Sequence, residues 1–464
     1  MTFDLNPADV AELTAEEAYW LRKLLETYQD HKSKNDEKER YYEGAISLSS
    51  VNLGIALPEG MRGLEIGCAW GAKTVDVLAA RSMFDGFVGL NGEADAQLDR
   101  LAGANRLVAE YMKAARDELK YGCTFATLSA DSSIGCKIRW HSPQTAAALW
   151  NGSLGRIRCG FAIIDTVPDN ENEAVWKPNI MNYYTDTAVI VLVRRDKKWS
   201  AQRFPHKMGR PLMEPLIWNA TSSKPFGRSR IKEPIRRLIQ GYVRTIANAT
   251  IGLEFATSPQ KYLLGVTDKQ YDALINQKFK QYVGSIIAGT ANPETGEKPS
   301  FGQLNQGNIS PHVEMVRILA TQFSAATGLP VTDTGVVNDA NPTSSDAIEA
   351  QTKTLVGLAE QLNTGNGDSL RTIALMALAI SEKITLDELS DEQKSVVAHF
   401  KNPAMPSVAA TADAAIKIAG ARQSFAGTDT FLEMLGFSQA DIRRIKAQEQ
   451  RARGMSVLEE MGIE

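Results

Sequence analysis

Two helical patterns separated by a polar loop constrain the fold of this chain more than any other feature. They lie between Phe301 and Gln361. The first helix is predicted to begin at Ser310-Pro311 and to end at Gly328-Leu329-Pro330. About fifteen residues rich in Gly, Asn, Asp, Thr and Ser follow, and a second helix is predicted from near Ser344-Ser345. One face of the first helix carries Val313, Val316, Leu319, Ala320 and Phe323.

The loop between these helices has few apolar side chains with which to pack against a core, beyond Val331, Val336 and Val337. We therefore expect it to line a cavity or a surface and to be free to move. It lies far from any acid/base constellation in the sequence. A loop of this kind between two helices favours a structural or conducting element over a catalytic one.

The bulk properties indicate a globular chain of several domains. At 464 residues it is too long for one ordinary core, and 43% hydrophobic with 23% charged residues is typical of a folded protein. No apolar run approaches the roughly 20 residues of a membrane helix, and the N-terminal residues lack a signal-peptide core. We expect no membrane association and no secretion. The net charge of −4 predicts that any contact with DNA is loose or local.

The chain carries no strong signature of catalysis. Its four cysteines lie far apart without CxxC spacing, and its five histidines form no metal-binding pair. Reduced core thiols are expected, without a metal site. GxSxG, GKS/T and HExxH motifs are absent from the sequence. We therefore interpret the chain as a protein that is not an enzyme and binds no cofactor.

Hydrophobic periodicity predicts the elements of the N-terminal half. Residues 15–42 are helical, and residues 64–130 are helical with short apolar breaks. The clearest helix in that region covers residues 97–120 and ends at Tyr121-Gly122. Residues 123–203 change to a period of two, which predicts a meander of antiparallel strands, and residues 205–218 form a bridging loop.

The C-terminal half is predicted to be mostly helical. A helix runs from Ile231 to about Phe255. Residues 256–309 form a small unit between this helix and the one from Ser310, so the ends of the two helices must meet. Residues 368–399 are interpreted as two helices and residues 411–453 as three, the last capped by Ser438 with Asp441. The predicted fold class is α+β, mainly helical, with one antiparallel sheet.

A glycine-rich turn from Gly63 to Gly71 offers an alternative function. It is similar to the nucleotide-binding turn of S-adenosylmethionine-dependent methyltransferases, and the cofactor would lie near Gly67 and Gly71. A carboxylate is expected about twenty residues later to bind the ribose, and Asn91 occupies that position. Ala69 also replaces one expected glycine. Packing is the alternative role for Trp70 and Val75.

Two charged clusters have open interpretations. The first is basic, has Glu233 as its one acidic member, and could face phosphates, a neighbouring subunit or only solvent. The second is an acidic set in the polar loop, Asp333, Asp339 and Asp346, which could bind Mg²⁺ or repel a phosphate backbone. The basic residues are Lys224, Arg228, Arg230, Lys232, Arg236, Arg237 and Arg244.

A series of short segments, taken in order over roughly residues 15–365, resembles the portal proteins of tailed bacteriophages. Under this resemblance the glycine turn would lie in the wing of a portal subunit and would bind no cofactor. The segments are Tyr41-Tyr42-Glu43-Gly44, Trp70 with Lys73-Thr74-Val75-Asp76, Arg81, Gly86-Phe87, Asn105, Tyr121-Gly122-Cys123-Thr124-Phe125, Phe226-Gly227-Arg228-Ser229, Phe301-Gly302-Gln303, Thr327-Gly328-Leu329-Pro330, and Asn341-Pro342-Thr343-Ser344-Ser345-Asp346-Ala347-Ile348.

The resemblance implies the parts of a portal subunit. Residues 1–227 and 346–400 would form the wing, and residues 401–464 the crown. The stem would consist of helices 228–255 and 310–328, joined by the clip at residues 256–309. Residues 329–345 would be the tunnel loop, with Asp333, Asn338, Asp339 and Asn341 facing the channel. Arg236, Arg237 and Arg244 would supply contacts between stems of neighbouring subunits.

The resemblance also implies a role in the virion. Twelve copies would form a ring at one capsid vertex, assembled in the host cytoplasm. Double-stranded DNA would pass through the ring without sequence preference during packaging and ejection. The terminase and the head-completion or adaptor proteins would dock on it, and the major capsid and scaffolding proteins would surround it. A near-neutral or acidic bore suits passage, because each neutralised phosphate would strengthen binding and slow the DNA.

Overall fold

The structure is a computed structural model. It describes residues 5–47, 65–89, 95–169, 175–195, 198–257, 261–264, 296, 298, 300–303, 308–336, 345–404 and 408–460. Over these residues the protein is a mixed helical and antiparallel-sheet fold, as the sequence predicts.

Helix α1 (Ala15–Glu43) confirms the helix predicted over residues 15–42. Its start is a capping box: the Thr14 hydroxyl accepts the Glu17 backbone N–H, and the Glu17 carboxylate accepts the Thr14 backbone N–H. Gly44 ends the helix with φ of 72°, a left-handed conformation that glycine adopts without strain.

The region predicted as mostly helical, residues 64–130, contains short strands as well as helices. The helix predicted over residues 97–120 is two helices, because Arg106 has φ of 50°, outside the α-helical range. The bounds here are β1 Ala45–Ser47, β2 Glu65–Gly67, α2 Trp70–Ala79, β3 Phe84–Val88, α3 Ala96–Ala104 and α4 Leu107–Tyr121. Gly122 ends α4 with φ of 112°, as predicted.

Residues 123–203 form antiparallel strands, as the period of two predicts. The strands are β4 Cys123–Asp131, β5 Gly135–His141, β6 Ala146–Asn151, β7 Arg156–Pro168, β8 Trp176–Tyr184, β9 Ala188–Arg195 and β10 Lys198–Pro205. A further strand, β11 (Met213–Ile217), lies within the predicted bridging loop. That loop prediction was wrong because β11 pairs with β4, with Met213 opposite Thr127.

The prediction of one sheet was also wrong. The meander divides into a five-stranded sheet of order β10-β9-β8-β7-β6 and a three-stranded sheet of order β11-β4-β5. Alternation shows that a segment is half-buried, but it does not specify the neighbour with which the strand pairs. Helix α1 packs against one face of the five-stranded sheet, where Leu21 and Leu24 meet Phe161 and Leu192.

Two long helices follow the sheets and pack against each other. They are α5 (Glu233–Thr257) and α6 (Ser310–Thr327), close to the predicted bounds. Strand β12 (Lys261–Leu264) follows α5 and pairs antiparallel with β13 (Ser300–Gln303), which precedes α6. The prediction that the two helix ends meet is confirmed. Residues 265–295 of the intervening unit lie outside the described residues.

The second helix predicted after the polar loop is α7 (Ser345–Glu382). It is one helix of 38 residues, and the two helices predicted over 368–399 are instead its C-terminal part, the short α8 (Asp391–Lys394) and strand β14 (Val397–Phe400). Strand β14 pairs with β3, so this segment returns to the N-terminal half of the chain.

Three helices complete the described C-terminal part: α9 Val408–Ala421, α10 Asp429–Met434 and α11 Gln439–Glu460. The predicted cap of the last helix is confirmed, because the Ser438 hydroxyl accepts the Asp441 backbone N–H at 3.2 Å. All four cysteines are free and buried, in agreement with the expected core thiols.

The glycine turn has a packing role. A Cβ atom on Gly71 would lie 1.8 Å from the Tyr41 carbonyl oxygen, so α1 and α2 can meet only if this residue lacks a side chain. Strand β2, before the turn, pairs antiparallel with β1, and β3 pairs antiparallel with β14. The methyltransferase alternative requires parallel strands at these positions, and the structure does not have them.

Candidate functional site at the base of the long helix pair

Trp70 joins the two long helices and the polar loop at one point. Its indole ring stacks on Phe323 of α6 with centroids 4.7 Å apart and lies 4.6 Å from the Tyr242 ring of α5. Its Nε1 donates a hydrogen bond of 3.2 Å to the carbonyl oxygen of Thr334 in the loop. The packing role predicted for Trp70 is confirmed, and the bond to the loop is an additional contact.

Arg230 holds the start of α5 against the same junction. Its side chain is buried, and its guanidinium donates to the Thr74 carbonyl in α2 and to the Thr327 carbonyl at the end of α6, each at 2.7 Å. Burial lowers the pKa of Arg230 to about 10. The acceptor at Thr327 lies at the negative end of the α6 dipole, which stabilises a cation there.

The chain entering α5 is fixed by further hydrogen bonds. The Ser229 hydroxyl donates to the Lys120 carbonyl at 2.5 Å, and the Arg230 backbone N–H donates to the Leu119 carbonyl at 2.8 Å. The end of α4, the end of α6 and the start of α5 therefore converge.

The first part of the polar loop is anchored. Residues Val331–Thr334 form a 3₁₀ turn, closed by the Thr334 hydroxyl bonding to the Val331 carbonyl at 2.6 Å. Val336 packs against the core cluster that contains Trp70. These residues therefore pack against the core, and Val336 is one of the three valines that the loop offers for such packing. Nothing in the local sequence pattern indicates that Trp70, more than 260 residues earlier, bonds to the loop.

The predicted channel-facing residues divide into two groups. Asp333 is half-buried in the anchored turn. Asn338, Asp339 and Asn341 lie outside the described residues, so their facing the channel stays a prediction.

The basic cluster does not form one exposed patch. Arg230 is buried, and the Arg236 side chain is 17% exposed and pairs within the chain with Glu233 at 2.5 Å and Glu37 at 3.6 Å. Arg237 is 74% exposed and bonds to Glu233 at 2.8 Å, and Arg244 is exposed. Arg237 and Arg244 can therefore reach a neighbouring molecule, whereas Arg236 fixes α5 to α1.

A buried polar cluster that the sequence interpretation missed connects α4 with α7. Asn366 donates through its Nδ2 to Glu118 Oε2 at 2.7 Å and to the Tyr111 hydroxyl at 2.9 Å. The Ser82 hydroxyl joins Tyr111 and Asn363 at 2.6 Å each. Burial raises the pKa of Glu118 to about 8. The available signal was the run Asn363–Gly367, in which Asn and Gly interrupt a helical pattern.

Polar side-chain contacts attach the C-terminal helices to the rest of the chain. Arg443 of α11 bonds to Asp99 of α3, and His399 of β14 lies 3.5 Å from Glu433 of α10. Among the described residues no three His, Cys, Asp or Glu side chains converge as a metal site would require. In the same part of the chain, none of the helices combines the length and hydropathy needed to span a membrane.

A sequence profile of one family matches this arrangement over almost the whole chain. The profile is described as phage portal protein, SPP1 Gp6-like, and it matches residues 21–455. These residues include the sheets, both long helices, the anchored loop and the junction at Trp70. The chain belongs to a class of structural virion proteins, the head–tail connectors. Its family is that of the phage portal proteins.

Curated relatives agree with this assignment. The portal protein of Mycobacterium phage D29 is 23% identical over 97% of this chain and 93% of its own length. The portal protein of Mycobacterium phage L5 is 23% identical over 94% of this chain and 89% of its own length.

Solved structures with similar chains include the virion of the native gene transfer agent (GTA) particle, at 14% identity and a TM-score of 0.45. That match covers 79% of this chain and 89% of the other. The neck of the native GTA particle computed with C12 symmetry matches over the same shares, at 12% identity and a TM-score of 0.45.

Proposed function

We propose that this protein forms a dodecameric ring at one capsid vertex and that its function is passage of DNA and docking of partners, not catalysis. Membership of the portal family is the observation that carries the proposal. DNA would enter through the ring during packaging and leave through it during ejection. The ring would seat the terminase, which supplies the ATP-driven force, and later the head-completion or adaptor proteins. The major capsid and scaffolding proteins would contact it during head assembly in the host cytoplasm.

The described elements support an assignment of the parts. Helices α5 and α6 would be the stem, and the paired strands β12 and β13 would open into the clip at residues 256–309. The sheets and α7 belong to the proposed wing, residues 1–227 and 346–400, and α9 to α11 to the proposed crown, residues 401–464. The tunnel loop would cover residues 329–345.

The surface of the stem supports assembly with other subunits. In the N-terminal half of α6, Val313 is 51% exposed, and Met315 and Ile318 are each 44% exposed. Met315 and Ile318, three residues apart, lie on the same side of the helix, and adjacent exposed apolar side chains are typical of a surface that another protein covers. A ring requires that one face of the subunit meets a different face of the next, and the exposed side of α6 supplies one such face.

The anchored loop supports a role in the channel. Trp70 and Val336 hold its first described residues at the base of the proposed stem. The net charge of −4 favours a bore that does not grip phosphates.

The first test is the mass of the purified chain in solution, combined with negative-stain imaging. We expect a particle of roughly 600 kDa with a central hole, because one subunit has a mass of 50.7 kDa and about a dozen would close the ring. Oligomers without a central hole would contradict the proposal. So would a monomer or dimer that binds S-adenosylmethionine in a calorimetric titration.

A further inference from the structure

A cleft of about 700 Å³ lies on the face of the five-stranded sheet opposite α1. Strands β9 and β10, the segment after β10 and the C-terminal end of α7 form its walls. Its volume is in the range of ligand-binding sites, about 300–1,000 Å³. The apolar lining residues include Val189, Val191, Leu212, Ile380 and Ile384.

Successive side chains of a strand point to opposite faces of the sheet, and on β9 both faces are apolar. Ala188, Ile190 and Leu192 of β9 face α1 and are buried, whereas Val189 and Val191 face the cleft and remain half-exposed. Phe204, at the end of β10, is 48% exposed at the mouth. An apolar floor with an open mouth fits a segment that enters and leaves the cleft, since sites for small molecules enclose most of the ligand surface.

Two lysines give the cleft a positive rim. Lys207 and Lys383 both line it and are exposed. The one carboxylate in the lining, Glu388, accepts the Thr385 backbone N–H at 2.7 Å and the Thr385 hydroxyl at 3.0 Å. These bonds, together with the nearby Lys207, lower the pKa of Glu388. Two lysines against one carboxylate leave the rim with a net positive charge, which complements an anionic group.

Lys383 occupies a backbone position that favours glycine. Its φ is 60°, and it follows the last residue of α7. The Lys383 N–H bonds to the Ile380 carbonyl and the Ile384 N–H to the Ala379 carbonyl, the two bonds of a Schellman motif. A non-glycine residue in this conformation is strained, and such strain is found preferentially at functional positions. Here the strained residue is one of those that line the cleft.

We propose that this cleft is a docking site for a peptide segment of a partner protein that carries apolar side chains next to carboxylates. The apolar side chains would fill the floor, and the carboxylates would pair with Lys207 and Lys383. The proposal rests on the cleft and its charges, so it stands or falls independently of ring formation.

The test is a selection of random twelve-residue peptides on the full-length chain, with counter-selection on a Lys207→Gln/Lys383→Gly double variant. We expect enrichment of peptides that combine Leu, Ile or Phe with Asp or Glu. In fluorescence anisotropy, an enriched peptide should bind the double variant at least tenfold more weakly and the control Lys198→Gln equally well, because Lys198 lies at the far end of β10.

Folding is checked separately by the single variant Lys383→Gly. Its melting temperature should be unchanged or higher, because glycine adopts a left-handed conformation without strain. Enrichment that is unaffected by the double variant, or enrichment of basic peptides, would overturn the proposal. It would also fail if sodium dodecanoate bound in a Lys383-dependent manner while no peptide did, or if the enriched sequence mediated only self-association of the chain.

Discussion

At the scale of single residues, the same short motif supports two different interpretations until its surroundings are known. Gly67, Trp70 and Gly71 are similar to a cofactor-binding turn in the sequence. In the structure Gly71 permits α1 and α2 to touch, and Trp70 fills the junction between α5, α6 and the loop. The glycine-rich turn is recognisable in the sequence, but its role depends on contacts with helices and a loop that lie elsewhere in the chain.

The two glycines of this turn should respond differently to alanine. Gly71→Ala would bring a methyl group to 1.8 Å from the Tyr41 carbonyl, so we expect a destabilisation of several kcal/mol or no folded protein. Gly67→Ala meets nothing within 4 Å and should change stability by less than about 1 kcal/mol. Thermal unfolding of both variants checks this. Equal melting temperatures would show that the helices do not meet as described.

Glu118 should make stability depend on pH. Its pKa is raised from 4.5 to about 8 in the folded chain by burial. The stability that it contributes is therefore fully present below pH 4.5 and is lost as pH rises through 8, with a slope of up to about 1.4 kcal/mol per pH unit. Glu118→Gln should remove this dependence, so the variant should gain stability relative to the natural chain between pH 5.5 and 8.

Melting temperatures at those two pH values measure the effect of Glu118→Gln. Glu110→Gln is the control, because Glu110 lies on the same helix at the surface, where it pairs with Lys113. A Glu118→Gln variant with the pH profile of the natural chain would show that the carboxyl group does not titrate in this range.

At the scale of elements, helix α7 continues through residues that disfavour helices. The run Asn363-Thr364-Gly365-Asn366-Gly367 lies in its middle. Gly and Asn have low helix propensity, so the sequence alone suggests that separate helices lie on either side of this run. Tertiary contacts override that preference: Asn363 and Asn366 bond to Ser82, Tyr111 and Glu118. No tertiary contact requires glycine at position 365, because a Cβ atom there would meet nothing within 4 Å.

Gly365→Ala should therefore stabilise the protein by about 0.5–1 kcal/mol, the usual difference between alanine and glycine inside a helix. Chemical denaturation of the purified chain measures it. Gly328→Ala serves for comparison and should destabilise, because Gly328 ends α6 with φ of 71°. A loss of stability in Gly365→Ala would mean that α7 bends or is interrupted at this point.

At the scale of the whole molecule, the proposed ring requires exposed surfaces that a neighbouring subunit can cover. The exposed apolar residues of α6 and the exposed arginines of α5 lie on the proposed stem. The basic residues predicted to bridge subunits separate in the structure, with Arg236 committed to Glu37 and Glu233 of its own chain. A substitution of Arg237 therefore tests an ion pair between subunits more directly than a substitution of Arg236.

Arg237→Glu should leave monomers or irregular rings if this arginine pairs with a neighbouring subunit. Arg22→Glu is the matched control, because Arg22 is also an exposed helical arginine with a glutamate four residues away, Glu26 at 3.9 Å. Both changes cost a similar few tenths of a kcal/mol within the subunit. Light scattering and negative-stain imaging of the two variants separate the outcomes. Unchanged rings in Arg237→Glu would exclude the proposed contact.

The sequence by itself determined most helices, the antiparallel strands, the meeting of the two long helices and the resemblance to portal proteins. These features depend on local periodicity, capping residues and the order of short segments, which neighbouring residues encode. Only the tertiary structure decided that the strands divide into two sheets, that β11 is a strand and that α7 is continuous. It also decided that Trp70 anchors the loop at Thr334 and that Asn366 meets Glu118. Each of these depends on pairing between residues distant in the chain, and local patterns carry no information about such partners.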